Sequence, residues 1–404
     1  MELSQRGRLM PASPIRRLTP LADAAKARGT QVYHLNIGQP DIPTPPEMLD
    51  ALRNFREPVL AYGPSSGLAE TRAAMAGYLQ DLGWPIAPSE VLVTEGGSEA
   101  ILFTMNAICD TGDEILVFEP FYTNYSGFAC MAGVTLKAVE TRVEDGYHLP
   151  AREVIEAAIG PKTRAILYSS PGNPTGTVFT PAEVAMLVDL AVKHDLYVIG
   201  DEAYREFAYD GRTATGVLGV ASEAGAMDRA ILIDRISKRF SACGARIGFL
   251  VTQNAGVLDA ALRFGQARLC PPTLEQYAAV AGYGLLQKYV PPMIEEYRRR
   301  RDTVMAGLRR IPGAVCAVPE GAFYVQPRLP VGDADAFAQF LLNDFSVDGR
   351  TVMVAPGNGF YATPGKGREE IRIAYVLKEA DLDVAMGLLV RAVETWNARR
   401  ADAT

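Results

Sequence analysis

Short runs of β-branched and other apolar residues alternate with longer stretches of helical periodicity between residues 88 and 252. This alternation predicts an α/β unit in which a parallel or mixed sheet lies between helices. Seven runs are predicted to be strands: Glu90–Thr94, Glu114–Phe118, Val134–Val139, Arg164–Ser169, Leu196–Asp201, Ala230–Asp234 and Ile247–Val251. Helices are predicted at Ser98–Ile108, Glu153–Ile159 and Pro181–His194, the last with Thr180 as its N-cap.

After Pro271 and Pro272 a long, charged helical stretch is predicted to connect the first unit to a smaller α+β unit at residues 312–404. Its strands are predicted near Ala322–Gln326, Val352–Ala355 and Ile371–Tyr375, and its helices near Ala334–Asp344 and Ala380–Ala398. We expect an N-terminal segment, residues 1–45, that packs with the small domain, a large domain, residues 46–285, and a small C-terminal domain, residues 286–404. The four consecutive arginines 298–301 are expected to form a solvated helix face rather than a binding patch.

Length and composition narrow the classes of function. A chain of 404 residues with 48% apolar and 22% charged residues is typical of a folded protein with a sizeable core. Its 40 basic and 47 acidic residues give a formal net charge of −7, which disfavours nucleic acid as a partner. No apolar run approaches the roughly 18 residues of a membrane span, and the charged N-terminus predicts no secretory signal. We therefore expect a cytoplasmic protein with no membrane partner.

The cysteines and histidines form no metal-binding pattern. Five cysteines are scattered without a Cys-x-x-Cys pair, and the three histidines lie far apart in the sequence. Zinc sites usually draw on such residues at close spacing. We expect reduced thiols and a chemistry that needs no metal.

Polar or glycine-rich residues directly follow five of the predicted strands. In open α/β sheets ligands bind beyond the carboxyl ends of the strands, so these residues are the first candidates for a site. They are residues 95–100, 119–122, 170–176, 201–204 and 235–238. If the strands are parallel, the five segments meet at one edge of the sheet.

Taken singly, these segments leave several interpretations open. Gly96 and Gly97 before a helix could present free backbone N–H groups to a phosphate, but glycine pairs are also common in plain turns. Residues 171–176 alone are typical of an ordinary loop. The chain has no Gly-x-x-x-x-Gly-Lys-[Ser/Thr] and no Gly-x-Gly-x-x-Gly after a strand, which excludes P-loop nucleotide binding and nicotinamide-type dinucleotide binding.

Lys238 is a sharper signal, because it follows an apolar strand, where ammonium groups are rarely left unpaired. A desolvated lysine amine loses its proton more easily and can form a Schiff base with a carbonyl group. Eight residues later, Arg246 precedes another predicted strand, and a fixed guanidinium suits a phosphate.

Four motifs, in this order, carry a resemblance to a known family. They are Ser-Pro-Gly-Asn-Pro-Thr-Gly at residues 170–176, Asp-Glu-Ala-Tyr at 201–204, Ser-Lys at 237–238, and Arg246 at the end of Arg-Phe-Ser-Ala-Cys-Gly-Ala-Arg. From about residue 10 to 395 the chain resembles the class I/II aminotransferases, which are fold-type-I pyridoxal phosphate enzymes, and especially bacterial aspartate aminotransferase-like members. The resemblance implies a large α/β domain with a seven-stranded, mostly parallel sheet between helices, plus a smaller α+β domain.

The resemblance implies that one group of residues binds pyridoxal 5'-phosphate. Lys238 should hold the cofactor covalently and then act as the base that moves the substrate's α-proton. Asp201 should pair with the pyridinium nitrogen, and Tyr204 should hydrogen-bond the 3′ oxygen of the ring. The other residues expected at the cofactor are Gly97, Ser98, Tyr122, Asn173, Ser237 and Arg246, with Tyr62 reaching the cofactor of the neighbouring subunit.

A second group is expected to bind the substrate, again by resemblance. Arg372 should hold the α-carboxylate in a bidentate fork, helped by the Gly38 amide and by Asn173. Arg268 lies near the position where, in some relatives, an arginine of the partner subunit contacts the side-chain carboxylate of the substrate. The shared sites imply a homodimer, and aspartate or glutamate is the expected amino donor.

Two positions depart from the pattern of the relatives. Arg235 stands three residues before Lys238, where many relatives have a hydroxyl that helps to hold the phosphate; it either binds the phosphate as a cation or points away. Ser98 stands where some relatives that use acidic substrates have a lysine, which puts specificity for aspartate in doubt.

The predicted function is an aminotransferase of amino-acid metabolism that exchanges nitrogen between an L-amino acid and a 2-oxo acid by a ping-pong mechanism. A pyridoxal phosphate-dependent lyase or cyclase of specialised amino-acid metabolism is the alternative, because the same motifs serve both. A non-catalytic, regulatory relative is a third hypothesis, and the presence of Lys238, Asp201 and Arg372 argues against it.

Overall fold

Strands and helices alternate along most of the chain in the computed structural model, which describes residues 1–402. The strands are β1 (Gln31–His34), β2 (Val91–Glu95), β3 (Glu114–Glu119), β4 (Thr135–Glu140), β5 (Thr163–Ser169), β6 (Tyr197–Asp201), β7 (Ala230–Arg235), β8 (Ile247–Val251), β9 (Tyr324–Val325), β10 (Arg350–Met353), β11 (Ala355–Pro356) and β12 (Ile371–Ala374). The α-helices are α1 (Gln5–Leu9), α2 (Thr19–Ala27), α3 (Pro46–Arg53), α4 (Ala69–Asp81), α5 (Gly96–Ile108), α6 (Asn124–Ala132), α7 (Arg152–Ala158), α8 (Pro181–Lys193), α9 (Val217–Glu223), α10 (Ile236–Arg239), α11 (Ala255–Arg268), α12 (Thr273–Tyr283), α13 (Leu286–Leu308), α14 (Ala334–Asn343) and α15 (Glu379–Ala401).

Seven of these strands form one sheet in the order β2-β8-β7-β6-β5-β3-β4. All run parallel except β8, which is antiparallel to both of its neighbours, so β2 points the same way as β7. The seven strands are the seven that the sequence predicts, each to within one residue at either end. The predicted seven-stranded, mostly parallel sheet between helices is therefore confirmed.

Apolar residues on the two faces of the sheet pack into two separate cores, because successive side chains of a strand point to opposite faces. In β7, Leu232 enters one core, and Ile231 and Ile233 enter the other. Strands buried on both faces need nearly continuous apolar runs, which is the pattern that predicted them. Helix α8 begins at its predicted N-cap, where Thr180 Oγ1 accepts a hydrogen bond from the Glu183 N–H at 3.2 Å.

The C-terminal part has the predicted α+β character. Strands β11, β12 and β9 form an antiparallel sheet, and α14 and α15 accompany it. Strand β1, near the N-terminus, pairs in parallel with β10. Leu18 and Tyr33 belong to the same core as Phe337 and Leu389. The division into parts at residues 45 and 285 stays a prediction.

The arginine run 298–301 in α13 is only half solvated. The first two arginines pair with glutamates of the same helix at its surface. Arg300 and Arg301 are buried, and Arg300 Nη1 lies 2.6 Å from the Asp41 carboxylate. The predicted solvated face is therefore wrong for these two residues, because a helix turns by about 100° per residue and four neighbours cannot share one face.

His148 lies between two carboxylates from different parts of the chain. Its Nδ1 is 3.0 Å from Glu183 Oε2, and its Nε2 is 3.4 Å from Glu320 Oε2. The hydrogen bond to Glu183 is the main reason that the pKa of His148 rises from 6.5 to about 10. The folded protein thus retains a proton that the unfolded chain releases at lower pH, so this stabilisation is complete below pH 6.5 and is lost as the pH rises through about 10.

We expect His148→Gln to lower the free energy of unfolding by about 1 kcal/mol near pH 6, a modest value because the ring is partly exposed. The difference from the native protein should vanish above about pH 10, where His148 is neutral in both states. Urea unfolding at several pH values measures this difference. A difference that does not change with pH would show that the ion pairs do not contribute.

Candidate active site

The carboxyl ends of the parallel strands meet at one edge of the sheet, as the polar residues that follow them predict. Ser169 at the end of β5 lies beside Asp201 at the end of β6 in the register of the sheet. A cavity of about 600 Å³ opens here, within the usual range for small-molecule sites. Its lining residues are Ser13, Ile15, Arg16, Thr19, Ile37, Gly38, Gln39, Tyr122, Asn124, Ser169, Asn173, Asp201, Tyr204, Arg235, Lys238, Tyr324 and Arg372.

Lys238 is held in the cavity wall by α10, the short helix that follows β7. Its Nζ donates a hydrogen bond to the Gly38 oxygen at 2.7 Å and lies 3.5 Å from Cys243 Sγ. Burial is the main cause that lowers the pKa of this amine, and the positive charge of Arg235 lowers it further. A lysine with a lowered pKa is more often neutral, so it can attack a carbonyl carbon or accept a proton.

Asp201 is the only acidic side chain among the described residues that line the cavity. Tyr125 Oη donates a hydrogen bond to Asp201 Oδ2 at 2.8 Å, and the Arg235 guanidinium pairs with Oδ1. All three side chains are buried. Arg235 therefore does not point away from the site but neutralises Asp201, a contact that the sequence pattern does not reveal. Tyr125 is also absent from the residues that the sequence predicts at the site, because no motif around it indicates that it contacts Asp201.

The N-terminus of α5 is flanked by two guanidinium groups. A Cβ atom on Gly97 would lie 2.8 Å from Arg235 Cζ, and one on Gly96 would overlap Arg246 Nη2, so both guanidinium groups lie directly against the start of the helix. Gly96 also has a φ of +71°, which favours glycine. Ser237 Oγ, next to Lys238 in the chain, is buried without a hydrogen-bond partner. Free backbone N–H groups at the positive end of a helix, together with two arginines, suit a phosphate or a similar anion.

Arg372 of β12 has only 1% of its surface exposed. Its Nη1 donates to Asn173 Oδ1 at 3.1 Å, its Nη2 donates to the backbone oxygen of Asn36, and its Nε has no hydrogen-bond partner. The Asp and Glu side chains of residues 1–402 form no ion pair with it, and burial lowers the pKa of its guanidinium. Because a buried charge without a counter-ion is costly, this arrangement favours an anionic ligand such as a carboxylate.

Two tyrosines and a glycine connect the lysine to the arginine. Tyr204 and Tyr324 are joined by a hydrogen bond of 2.8 Å between their hydroxyl groups, and burial raises the pKa of both. The Arg372 guanidinium lies 4.6 Å from the centre of the Tyr324 ring. Any Cβ on Gly38 would overlap the Tyr324 hydroxyl, which explains the glycine there. Tyr324 was missed, since the strand pattern near Ala322–Gln326 does not show which residue faces the site.

The remaining predicted residues are placed as follows. Tyr122 lines the cavity, where its Oη accepts a hydrogen bond from Asn124 Nδ2 at 2.9 Å. Ser98 lies in the first turn of α5. Tyr62 is not brought into the cavity of its own chain and is 80% exposed. Arg268 does not line the cavity either.

Residues 1–402 contain neither a metal-binding cluster nor a membrane-spanning helix. No group of three or more His, Cys, Asp or Glu side chains is arranged there to hold a metal ion. None of the helices in the same range has both the length and the apolar character needed to cross a bilayer.

Comparisons with known proteins agree with the architecture of the fold. The family model for aminotransferase class I and II matches residues 30–389. Over 404 residues the chain is 30% identical to the aspartate aminotransferase of Bacillus subtilis, covering 98% of this chain and 99% of that protein. The solved structure of aspartate aminotransferase from Thermus thermophilus with maleate has a TM-score of 0.87 at 30% identity, covering 97% of this chain and 100% of that one.

A further solved structure shows how widely the fold is shared. The alanine aminotransferase from Pyrococcus furiosus has a TM-score of 0.88 at 28% identity, covering 98% of this chain and 100% of that one. These relatives are named for different amino acids, so the likeness does not by itself fix the substrate. The extent of the matches does establish the family: the chain belongs to the aminotransferase class I and II family and is an enzyme of the transferase class.

Proposed function

We propose that the protein is a pyridoxal phosphate-dependent aminotransferase that moves an amino group between an acidic L-amino acid, aspartate or glutamate, and a 2-oxo acid by a ping-pong mechanism. One observation carries the proposal: a single cavity contains the Lys238 amine, with its lowered pKa, and the buried Arg372 guanidinium, which lacks a counter-ion. The amine suits a carbonyl group and the guanidinium suits a carboxylate, which are the two groups that define a 2-oxo acid.

The residues present fit pyridoxal 5'-phosphate. A phosphate group would meet the N-terminus of α5 at Gly97, where the Arg235 and Arg246 guanidinium groups flank the two glycines. The same phosphate would give the unpartnered Ser237 Oγ an acceptor. The Ser98 amide, in the same helical turn, would add a further donor.

When bound, the pyridoxal group would supply a sink for the electron pair that is released at the substrate α-carbon. Lys238 would hold the cofactor covalently and, once released, its amine would take the proton from the α-carbon. Asp201 would keep the ring nitrogen protonated through its buried carboxylate. Tyr204, which remains protonated because burial raises its pKa, would donate to the ring oxygen together with Asn173, while Tyr122 would stack on the ring.

Arg372 would bind the α-carboxylate of the substrate. The guanidinium is already oriented by Asn173 and by the backbone oxygen of Asn36, so little side-chain entropy is lost on binding. The Gly38 amide, beside the oxygen that accepts from Lys238, would provide a second donor. The carboxylate would thus be held on the same side of the cavity as the amine.

The proposal includes a homodimer in which Tyr62 reaches the cofactor of the neighbouring subunit. Its support is the exposure of Val59, Leu60 and Tyr62, since several large apolar groups close together at a surface are typical of an interface. Residues 46–285 would form the cofactor-binding domain, and residues 286–404 with the segment 1–45 the small domain. The five free cysteines fit a reducing compartment, so we also propose a cytoplasmic location.

A single-turnover absorbance experiment tests the proposed function. Protein loaded with pyridoxal phosphate is mixed with aspartate, glutamate, alanine, phenylalanine or methionine, without any oxo acid. We expect aspartate or glutamate to convert the absorbance of the bound pyridoxal form to that of the pyridoxamine form, with one oxo acid released per site. A loaded protein that none of these amino acids converts would overturn the proposal, and conversion by a non-acidic donor alone would overturn its assignment to acidic substrates.

A further inference from the structure

The cavity has a large excess of positive charge. Four basic side chains line it, and Asp201 is the only acidic one among the described lining residues. Arg235 pairs with Asp201, while the proposed function uses Lys238 and Arg372 for the cofactor and the α-carboxylate. The fourth cation is Arg16, which is exposed and forms no side-chain hydrogen bond or ion pair with the rest of residues 1–402.

The backbone around Arg16 is fixed by hydrogen bonds and packing, although the Arg16 side chain itself has no partner among residues 1–402. The backbone N–H groups of Arg16 and Arg17 both donate to the Ser13 oxygen, at 3.2 and 3.1 Å. Arg17 forms an ion pair with Asp335, and Leu18 is buried in the core. The two residues that follow Arg16 are therefore engaged with the protein, and its own guanidinium remains available to a ligand in the cavity.

Asn36 connects this segment to the buried end of the cavity. Its Nδ2 donates to the Ile15 backbone oxygen at 3.3 Å, and its own backbone oxygen accepts from Arg372 Nη2. Asn36 is completely buried, so it forms a fixed link between the residue before Arg16 and the guanidinium of Arg372. Both arginines line the same cavity, so one ligand in it can meet both guanidinium groups.

We propose that Arg16 binds the distal carboxylate of dicarboxylic substrates and so determines the preference of this enzyme for acidic amino acids and oxo acids. The inference rests on the proposed function, in which Arg372 binds the α-carboxylate of the same molecule. Both carboxylates then neutralise the positive charge that remains in the cavity once Asp201 is paired with Arg235.

Arg268, the residue that the sequence suggested for this role, is already engaged. Its Nε donates to Glu99 Oε1 at 3.1 Å, and its Nη2 donates to the Val93 oxygen at 3.4 Å. The ion pair neutralises the charge, and the side chain is largely buried in its own chain. Only Nη1 of Arg268 is left without a hydrogen-bond partner, and Glu99 already balances the charge of this guanidinium, whereas Arg16 has no carboxylate beside it.

The test compares Arg16→Gln with Arg16→Lys, Arg268→Gln and Arg6→Gln, the last being a matched arginine on α1 that does not line the cavity. For Arg16→Gln, kcat/KM for aspartate should fall about 10- to 100-fold more than kcat/KM for alanine, as expected for the loss of a charged hydrogen-bonded contact. The dissociation constant of maleate, measured by titrating the cofactor absorbance of the loaded protein, should rise by a similar factor. Arg16→Lys should retain part of the selectivity for aspartate over alanine and part of the affinity for maleate.

Three results would overturn the proposal. One is an equal loss for alanine and aspartate in Arg16→Gln, and another is a selective loss of aspartate activity in Arg268→Gln instead. The third is a native protein that does not bind maleate. Failure of the proposed function is recognised separately, because the native protein would then convert no amino acid, while the maleate titration would still report on Arg16.

Discussion

Replacement of Lys238 by alanine is expected to lower the rate of amino transfer by about 10⁴-fold or more, because the proposed mechanism uses this amine both to hold the cofactor and as the base. No other side chain that lines the cavity can replace the Lys238 amine as a base. Its other basic side chains are arginines, which stay protonated and cannot accept the α-proton. Steady-state transfer from aspartate to a 2-oxo acid measures the effect.

The controls for Lys238 distinguish the catalytic role of its amine from any structural role of the side chain. Lys238→Ala should fold normally, since the side chain is desolvated and its one short hydrogen bond is to the Gly38 oxygen. Added methylamine should restore part of the activity of Lys238→Ala, because a small amine can replace the missing base, and should not help Lys238→Arg. After borohydride reduction of the loaded native protein, a label on a lysine other than Lys238 would refute the assignment.

The parts of this protein that the sequence predicted are those set by local patterns. The strand runs were visible because a sheet covered on both faces needs continuous apolar residues, and five candidate segments were visible because they directly follow these strands. In this way Lys238, Asp201 and Asn173 could be placed at one edge of the sheet before its order was known. The roles of single residues, such as Arg372, came from the resemblance to the aminotransferases.

The contacts that tune the site could not be predicted in the same way. Tyr204 and Tyr324 are 120 residues apart, and their hydrogen bond depends on how the small sheet lies against the large one. The ion pair between Arg235 and Asp201 depends on the direction of a long side chain, which no strand pattern fixes. Arg16 belongs to a turn that has no periodicity at all.

Charge placement links the stability of this fold to its proposed function. A buried cation with a carboxylate partner, such as Arg235 beside Asp201, is compensated within the protein. Arg372 has no such partner among residues 1–402, so the folded protein carries a desolvated charge that only a ligand can neutralise. We therefore expect loss of Arg372 to affect activity far more than stability.

Arg372→Leu is expected to lower kcat/KM for amino acids by about 10²- to 10³-fold, because removal of one partner of a buried charged contact costs about 2–5 kcal/mol. KM should rise and kcat should fall together, since the α-carboxylate both binds the substrate and orients its α-carbon. The free energy of unfolding should change by less than about 1 kcal/mol, because relief of the uncompensated charge offsets the two lost hydrogen bonds.

The substrate itself provides the matched control for Arg372. Ethylamine is alanine without its α-carboxylate, so the native protein should already be slow with ethylamine, and Arg372→Leu should slow that reaction little further. Arg372→Lys, which keeps the charge but loses the fork, should be intermediate with alanine. If Arg372→Leu slows alanine and ethylamine by the same factor, or lowers the free energy of unfolding by several kcal/mol, Arg372 supports the fold rather than the carboxylate.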